Sequence, residues 1–325
     1  MISVALCTYN GEKYLLEQLE SIVQQSVQVN EIVVCDDGSQ DRTIAILTEF
    51  AKSVPFPVRI YQNETNLGST KNFEKCLSLC KGDIIFCCDQ DDRWRDDKVE
   101  KQTTYLANNP EVDAVFSDAR IIDGTSQLTL STIWQEVQFT DQPQKAWKEG
   151  KAHEILFGGF VVTGATLALR RSCLNRLMPF PTHIPQLIHD AWIALALSLE
   201  KKIDFIDESL IYYRMHPSQQ VGFGAKVEPV RLKDRLKRDR KQKLLPIQEK
   251  ANNAAQIYKL LRDIPFVPRE KLIKLYLRQR HFQRRASLPD NRFLRILPIM
   301  KEVMAGRYTF SSKDWWLPAL GDLFE

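Results

Sequence analysis

The stretch Ile84-Ile85-Phe86-Cys87-Cys88-Asp89-Gln90-Asp91-Asp92-Arg93-Trp94 decides how the rest of the chain is read. Its first five residues form an unbroken apolar run, the pattern of a strand covered on both faces in a mainly parallel sheet. The run stops at three carboxylates within four residues, Asp89, Asp91 and Asp92. In an open α/β sheet, ligands bind at the carboxyl ends of the strands. Acids this close repel one another and resist ionising unless a cation or solvent offsets the repulsion. A hard divalent cation suits them, because Mg²⁺ is usually held by one or two carboxylates together with substrate phosphates. The same residues would also serve as a solvated acidic turn, with Asp96 and Asp97 just beyond.

Towards the N-terminus, Ile2–Cys7, Glu31–Cys35 and Val58–Tyr61 read as strands. Helices are expected through Tyr14, Leu15, Leu16, Leu19, Ile22 and Val23, from a cap at Asp41 to about Ala51, and around Thr70–Cys80. Strands alternating with helices over residues 1 to 95 imply right-handed crossovers and a doubly wound parallel sheet. The first two strands end in polar clusters, Thr8-Tyr9-Asn10-Gly11-Glu12 and Asp36-Asp37-Gly38-Ser39-Gln40-Asp41. Such clusters at neighbouring strand ends suit a nucleotide pocket at the switch point of the sheet. There Asp36 or Asp37 would accept from a pyrimidine N–H or a ribose hydroxyl. Each cluster equally satisfies the rules for helix caps. Lys71, three residues after Gly68, is placed to approach a diphosphate. The spacing is not that of a P-loop and no GxGxxG occurs, which argues against nicotinamide and ATP-hydrolysing chemistry.

Thr8-Tyr9-Asn10, then Val34-Cys35-Asp36-Asp37-Gly38-Ser39 with Asp41, then Asn66-Leu67-Gly68 with Asn72, then Asp89-Gln90-Asp91-Asp92 agree in order and spacing with one family. The series resembles the nucleotide-sugar half of family 2 glycosyltransferases, α/β enzymes of the GT-A fold. The resemblance implies that Thr8, Tyr9, Asn10 and Asp37 surround the base and ribose, with Glu12, Asn66, Gly68, Lys71 and Gln90 completing the site. It implies that Asp89 and Asp91 touch the ribose and a metal-bound diphosphate, with Asp92 beside them and Mg²⁺ or Mn²⁺ as the ion. The wording Asp-Gln-Asp-Asp-Arg-Trp is most similar to the rhamnosyltransferase-like branch.

Beyond residue 95 the pattern changes. Val112–Asp118 alternates as a strand, Ile121–Thr132 reads as a hairpin around Gly124, and the polar stretch 133–150, with Trp134 and Trp147, is expected to be a mobile loop over the acceptor. The glycines of Gly158–Thr166 allow close approach of a backbone or a sugar; the resemblance implies acceptor lining. Asp190 opens a helix with Trp192, Leu195 and Leu199, where capping and catalysis are equally open on local grounds. His189-Asp190-Ala191-Trp192 is similar to a rhamnosyltransferase-like segment whose aspartate is the general base. His189 is expected to orient or pack. Two further strands are expected at Ile203–Ile206 and Leu210–Tyr213. Tyr212-Tyr213-Arg214-Met215-His216 then resembles the family's closing segment, which implies Arg214 against the diphosphate and His216 in the metal shell. Pro217-Ser218-Gln219-Gln220 departs from the usual Gly/Asn-rich wording there.

After Gly222-Phe223-Gly224 the composition shifts, giving a catalytic domain at 1–224 (1–95 nucleotide-sugar half, 96–224 acceptor half) and a basic helical region at 225–325. Residues 226–325 hold 24 Lys and Arg against 11 Asp and Glu, while 1–225 hold 21 against 30. An acidic catalytic part and a basic part facing an anionic partner follow. The cation-dense tract 231–241 and the apolar residues Phe293, Ile296, Leu297, Ile299, Met300, Trp315, Trp316 and Leu317 suit an anionic membrane interface or, equally, a helical cap on the catalytic domain. Helices are expected at 229–262, 268–287 and 291–304, broken by Pro265, Pro268, Pro289 and Pro298.

Seven cysteines, several inside apolar runs, imply free thiols in a reducing cytosol, and Cys76 with Cys80 lacks partners for zinc. No run of about 18 apolar residues suggests a spanning helix, and the start at Ile2-Ser3-Val4 is not that of a signal peptide. The expectation is an inverting, metal-dependent glycosyltransferase using dTDP-L-rhamnose or a UDP-hexose. Its acceptor would be lipid-linked or a polysaccharide in cell-surface glycan synthesis, at the inner face of the membrane. A sugar nucleotidyltransferase would carry a Gly-rich, Arg-containing loop where Thr8–Glu12 stands. A nucleic-acid binder would not need the acidic pocket, and a non-catalytic carbohydrate-binding protein would not need Asp190 together with the acidic triplet.

Overall fold

The structure is a computed structural model describing residues 1–217, 219, 240–312 and 314–324. Of the cation-dense tract 231–241, residues 231–239 lie outside the described residues, as does the part of the expected helix over 229–239. The chain forms two compact units, Met1–Gly222 and Phe223–Glu325.

The first unit opens with β1 (Ile2–Thr8), α1 (Leu15–Val23), β2 (Glu31–Asp36), α2 (Thr43–Ser53), β3 (Val58–Gln62), α3 (Ser69–Leu79) and β4 (Ile84–Cys88). The apolar runs become strands because both faces are covered: Val4–Leu6, Ile32–Cys35 and Ile85–Cys88 have essentially no exposed surface. β1 pairs in parallel with β2 and with β4, and β2 in parallel with β3. The chain therefore leaves β1 for one side of the sheet and returns on the other. That places the switch point between the ends of β1 and β4.

Then come β5 (Arg93–Trp94), α4 (Lys98–Asn108), β6 (Ala114–Ile122), β7 (Leu128–Thr132), α5 (Ile133–Glu136), α6 (Asp141–Ala146), a π-helical turn (Trp147–Lys151), α7 (Ala152–Leu156), β8 (Ala168–Arg170), α8 (Leu174–Leu177), α9 (His189–Leu199) and β9 (Ile203–Arg214). The sheet order is β3-β2-β1-β4-β8-β6-β9-β5, with β7 on β6. Parallel pairing joins the first four strands to one another and, further along the sheet, β6 to β9. The short β8 enters antiparallel to both β4 and β6, and β5 is antiparallel to β9, so the sheet as a whole is mixed.

Two expectations change. The strands foreseen at 203–206 and 210–213 are one strand, β9. Its register against β6 slips between Ser117↔Ile206 and Asp118↔Ser209, so the polar break Asp207-Glu208 is a bulge rather than a turn. The stretch 133–150 is a set of short helical segments with a kink at Gly150, where φ is 81°, rather than an open loop. Trp134 and Trp147 are buried with Phe116, Phe139 and Phe205, ring centroids 5.1–6.4 Å apart, and this apolar cluster fixes short helices that lack a periodic signal of their own.

The second unit contains α10 (Arg240–Arg262), α11 (Arg269–Ala286), α12 (Arg292–Met304) and α13 (Trp316–Phe324). Ile247, Ala251 and Phe282 form one small core, and Ile299, Tyr308 and Ala319 another. Pro298 does not break α12, which runs through it. No described helix is long and apolar enough to cross a membrane.

Candidate active site

A cleft of about 410 Å³ opens where β1 and β4 end. The two strand ends are clasped by one amide: Gln90 Oε1 accepts the Tyr9 N–H at 2.8 Å and Gln90 Nε2 donates to the Tyr9 carbonyl at 3.0 Å. Gly11 makes the clasp possible, since a Cβ there would stand 2.3 Å from Gln90 Oε1. On the β2 side the two aspartates divide the work. Asp36 accepts from the Thr8 hydroxyl and from the Gly38 and Ser39 N–H groups, so it folds the turn. Asp37 lines the cleft while its oxygens take the Leu67 and Gly68 N–H groups at 2.7 and 2.9 Å. The Asn66-Leu67-Gly68 loop is thus wrapped around Asp37, and Gly68 supplies the left-handed φ of 77° that starts α3.

The acidic wall follows β4. Asp89 and Asp91 line the cleft. Burial, then the charges of Asp91 and Asp190, push the Asp89 carboxyl up to about 8. His216 Nε2 lies 2.9 Å from Asp91 Oδ2. Across the cleft, Asp190 sits at the second residue of α9, so it is not the N-cap, which is Ile188. Its Oδ2 accepts the Gly164 N–H at 2.8 Å and its Oδ1 the N–H of Ala191 at 2.7 Å. One backbone bond per oxygen leaves further lone pairs for a substrate proton. A Cβ at Gly164 would come within 2.6 Å of His189 Nε2 and 3.3 Å of Asp190 Oδ2, so this glycine keeps the space beside both open. The buried His189 ring stacks on Phe73 at 3.9 Å, its two nitrogens have no partner, and burial holds its pKa below the ordinary value.

Of the residues expected at the site, Thr8, Tyr9, Asn10, Asp37, Asp89, Gln90, Asp91, Asp190 and His216 line this cleft. The others stand behind or beside it. Arg214, expected against the diphosphate, is fully buried; it donates to Glu17 Oε2 at 2.6 Å, the Asp91 carbonyl at 2.7 Å and the Ser126 hydroxyl at 2.7 Å. Charge at that depth demands partners, and the protein supplies them itself. Asp92, expected beside the metal, is likewise buried, with Oδ1 accepting the Arg214 N–H at 2.9 Å. Burial, then Asp91 and Asp89, push its carboxyl far above the usual range. Lys71 pairs with Glu74 at 2.8 Å, one turn along α3. The exposed Glu12 accepts the Arg42 N–H at 2.9 Å and so pins the two clusters together. Asn66 and Gly68 act through Asp37.

The cleft also contains Lys13, Tyr14, Phe73 and Tyr213, which sequence reasoning did not place there. Lys13 Nζ stands 4.7 Å from the Tyr14 ring centroid, and that ring lies 4.8 Å from His216. Tyr14 and Phe73 carry only the signal of apolar helix positions. Nothing local marks them as cleft-facing.

Among the described residues no three His, Cys, Asp or Glu side chains form a ready-made metal site. A divalent cation nevertheless fits the donor set. Asp91 and His216 offer two ligands, Asp89 is short of neutralising charge, and the remaining oxygens would come from a phosphate-bearing substrate.

The profile of the family described as "Glycosyl transferase family 2" matches residues 3–178. An uncharacterized glycosyltransferase of Methanocaldococcus jannaschii is 27% identical over 217 residues, covering 66% of this chain and 71% of that one. The first curated relatives are longer, and the match spans 59% of their length. Among solved structures, S. aureus TarS 1-349 in complex with UDP-GlcNAc superposes with a TM-score of 0.51 at 17% identity, covering 95% of this chain and 88% of that one. The mannosyltransferase PcManGT of Pyrobaculum calidifontis, in complex with GDP-Man and Mn²⁺, gives 0.50 at 16% identity, covering 99% and 84%. The fold is GT-A.

Proposed function

Since the chain belongs to glycosyltransferase family 2, we propose that it transfers a sugar from a nucleoside diphosphate donor to a hydroxyl acceptor with inversion at the anomeric carbon. The observation that carries this reading is the placement of Asp190 in the same cleft as Asp89 and Asp91, fed by three distant segments of chain. The nucleoside lies along Thr8, Tyr9, Asn10 and Asp37, and its diphosphate reaches towards Asp89 and Asp91. Asp91 and His216 would hold Mg²⁺ or Mn²⁺. When bound, such an ion offsets the charge that builds on the leaving diphosphate. Asp190 takes the acceptor hydroxyl's proton as its oxygen attacks the anomeric carbon from the face opposite the diphosphate. One displacement completes the transfer, with no covalent intermediate on the chain.

The M. jannaschii relative bears the name glycosyltransferase, and the two solved structures hold UDP- and GDP-linked sugars, one of them with Mn²⁺. These support the donor class and the divalent ion. Within that class dTDP-L-rhamnose is the first candidate, from the wording Asp89-Gln90-Asp91-Asp92-Arg93-Trp94, and a UDP-hexose the second. The acceptor is a lipid-linked or polysaccharide glycan met at an anionic membrane surface, a reading supported by the basic balance of residues 226–325.

The test is incubation with labelled dTDP-rhamnose, UDP-glucose, UDP-GlcNAc and GDP-mannose plus Mn²⁺, scoring free sugar without acceptor. Hydrolysis of one donor, lost in Asp190→Asn, is the expected result. Pyrophosphate release from a sugar phosphate and an NTP would instead assign a nucleotidyltransferase.

A further inference from the structure

Helices α12 and α13 turn most of their large apolar side chains outward and bury charge. On α12, Arg295 and Glu302 are buried, whereas Phe293, Leu297, Met300 and Met304 are 82, 62, 52 and 83% exposed. At 3.6 residues per turn these four fall within roughly 60° of one another, a single apolar stripe. The hidden face is secured by charge. Arg295 donates to the carbonyls of Pro289, Asp290 and Asp322, and Glu302 meets His281 Nδ1 at 2.8 Å and Arg307 at 2.9 Å. On α13, Asp322 is buried against Arg285 and the Tyr308 hydroxyl, while Trp316, Leu320 and Phe324, four residues apart, face outward with Trp315 just before them. A water-facing helix normally shows the opposite arrangement. Both helices pack on the Ile299–Tyr308–Ala319 core, so their outward apolar faces belong to one small helical unit.

We propose that these faces of α12 and α13 dock on an anionic lipid bilayer, lying in its interface. The proposal sharpens the membrane part of the preceding reading without depending on glycosyl transfer. Charge complementarity selects lipid. Arg292 and Lys301, both exposed, fall on opposite flanks of the stripe, where their stems can lie along the acyl boundary and their heads reach phosphates. On described residues 290–324 the exposed acids are Asp290, which pairs with Arg240, and Asp314, and residues 226–325 carry 24 cations against 11 acids. Trp315, Trp316 and Phe293 are the side chains that favour the headgroup level.

The full chain is sedimented with phosphatidylcholine vesicles, with and without one-third phosphatidylglycerol. Binding to the anionic vesicles is expected, with at least about tenfold weaker affinity for Phe293→Ser/Leu297→Ser/Met304→Ser and for Arg292→Glu/Lys301→Glu. Donor hydrolysis and thermal melting should match wild type in both variants. Wild-type protein remaining in the supernatant would overturn the proposal. So would a triple variant that still binds, or a soluble dimer that the triple variant dissociates. Hydrolysis with no vesicle binding defeats only this inference, and vesicle binding with no hydrolysis of any donor defeats only the transferase reading.

Discussion

His216 Nε2 sits 2.9 Å from Asp91 Oδ2, joining two residues 125 positions apart in the chain. The contact ties the end of β9 to the acidic wall after β4. It brings an imidazole and a carboxylate together in the lining of the cleft, where the proposed function places a divalent cation. If the proposed function holds, removing either side chain weakens metal use before it weakens folding. His216→Ala is expected to raise the Mn²⁺ concentration for half-maximal donor hydrolysis by about tenfold or more, and Asp91→Asn to abolish hydrolysis. Metal titrations of both variants, with EDTA-treated wild type as the reference, check this. Unchanged Mn²⁺ dependence in His216→Ala would remove it from the metal shell.

Asp190 accepts one backbone N–H on each oxygen, from Gly164 and from Ala191. Asp190→Asn keeps the shape but cannot take a proton. Turnover should fall by about a hundredfold or more, while donor affinity measured by calorimetry stays within a few-fold. A parallel loss of donor binding would show that the residue holds the donor and does not act as base.

Arg214 was expected at the diphosphate and is instead a buried brace between Glu17, Asp91 and Ser126. Arg214→Met strands partners that the guanidinium satisfied, so it should lower the unfolding free energy by about 3–5 kcal/mol. Urea unfolding of the full chain measures this. A variant of normal stability with weakened donor binding would return Arg214 to the cleft.

The Arg214 outcome shows where reading the chain stops. Strand ends are legible because apolar runs closed by Thr8–Asn10, Asp36–Asp37 and Asp89–Asp92 state both the strand and its polar exit locally. The partners of those ends are not. Glu17 looks like an ordinary exposed helix acid, yet it meets Arg214 197 residues away. Trp134 and Trp147 sit in polar surroundings in sequence, and only β6 and β9 supply the Phe116 and Phe205 rings that bury them. The helix α12 is legible, but the charges it hides are not, because Arg295 and Glu302 share with Ile299 the face that apolar residues normally take.

Those hidden charges make the second unit sensitive to acid. Burial drives the His281 pKa down to about 4, against the raising effect of its bond to Glu302. The folded state therefore binds fewer protons than the unfolded chain between about pH 6.5 and 4. Stability present above pH 6.5 is lost progressively as pH falls through that window. Burial raises Glu302, but bonds from Arg284, His281 and Arg307 outweigh it and hold it below its ordinary value, adding a loss of the same sign at lower pH. Hydrogen exchange at α11 and α12 amides should accelerate from pH 7 to pH 4.5 after correction for intrinsic rates. His281→Asn should flatten that slope, and an unchanged slope would place the acid sensitivity elsewhere.

His189 presents the opposite balance, a buried ring that stacks on Phe73 but finds no hydrogen-bond partner among the described residues. Both ring nitrogens lack partners although the ring is packed against Phe73. An unpaired buried polar atom costs about 1–3 kcal/mol, and replacing it with an apolar group of similar size recovers part of that. His189→Leu, near it in volume, should therefore melt at the same or a higher temperature than wild type. Activity is expected to move the other way, because the ring lines the cleft beside Asp190, within reach of a hydroxyl bound there under the proposed function. A fall of about tenfold in kcat/KM for donor hydrolysis, with unchanged or raised Tm, is the expected pair of results. A variant that loses stability and activity together would make the imidazole a packing element of the cleft floor, and one that keeps full activity would leave its nitrogens without a ligand.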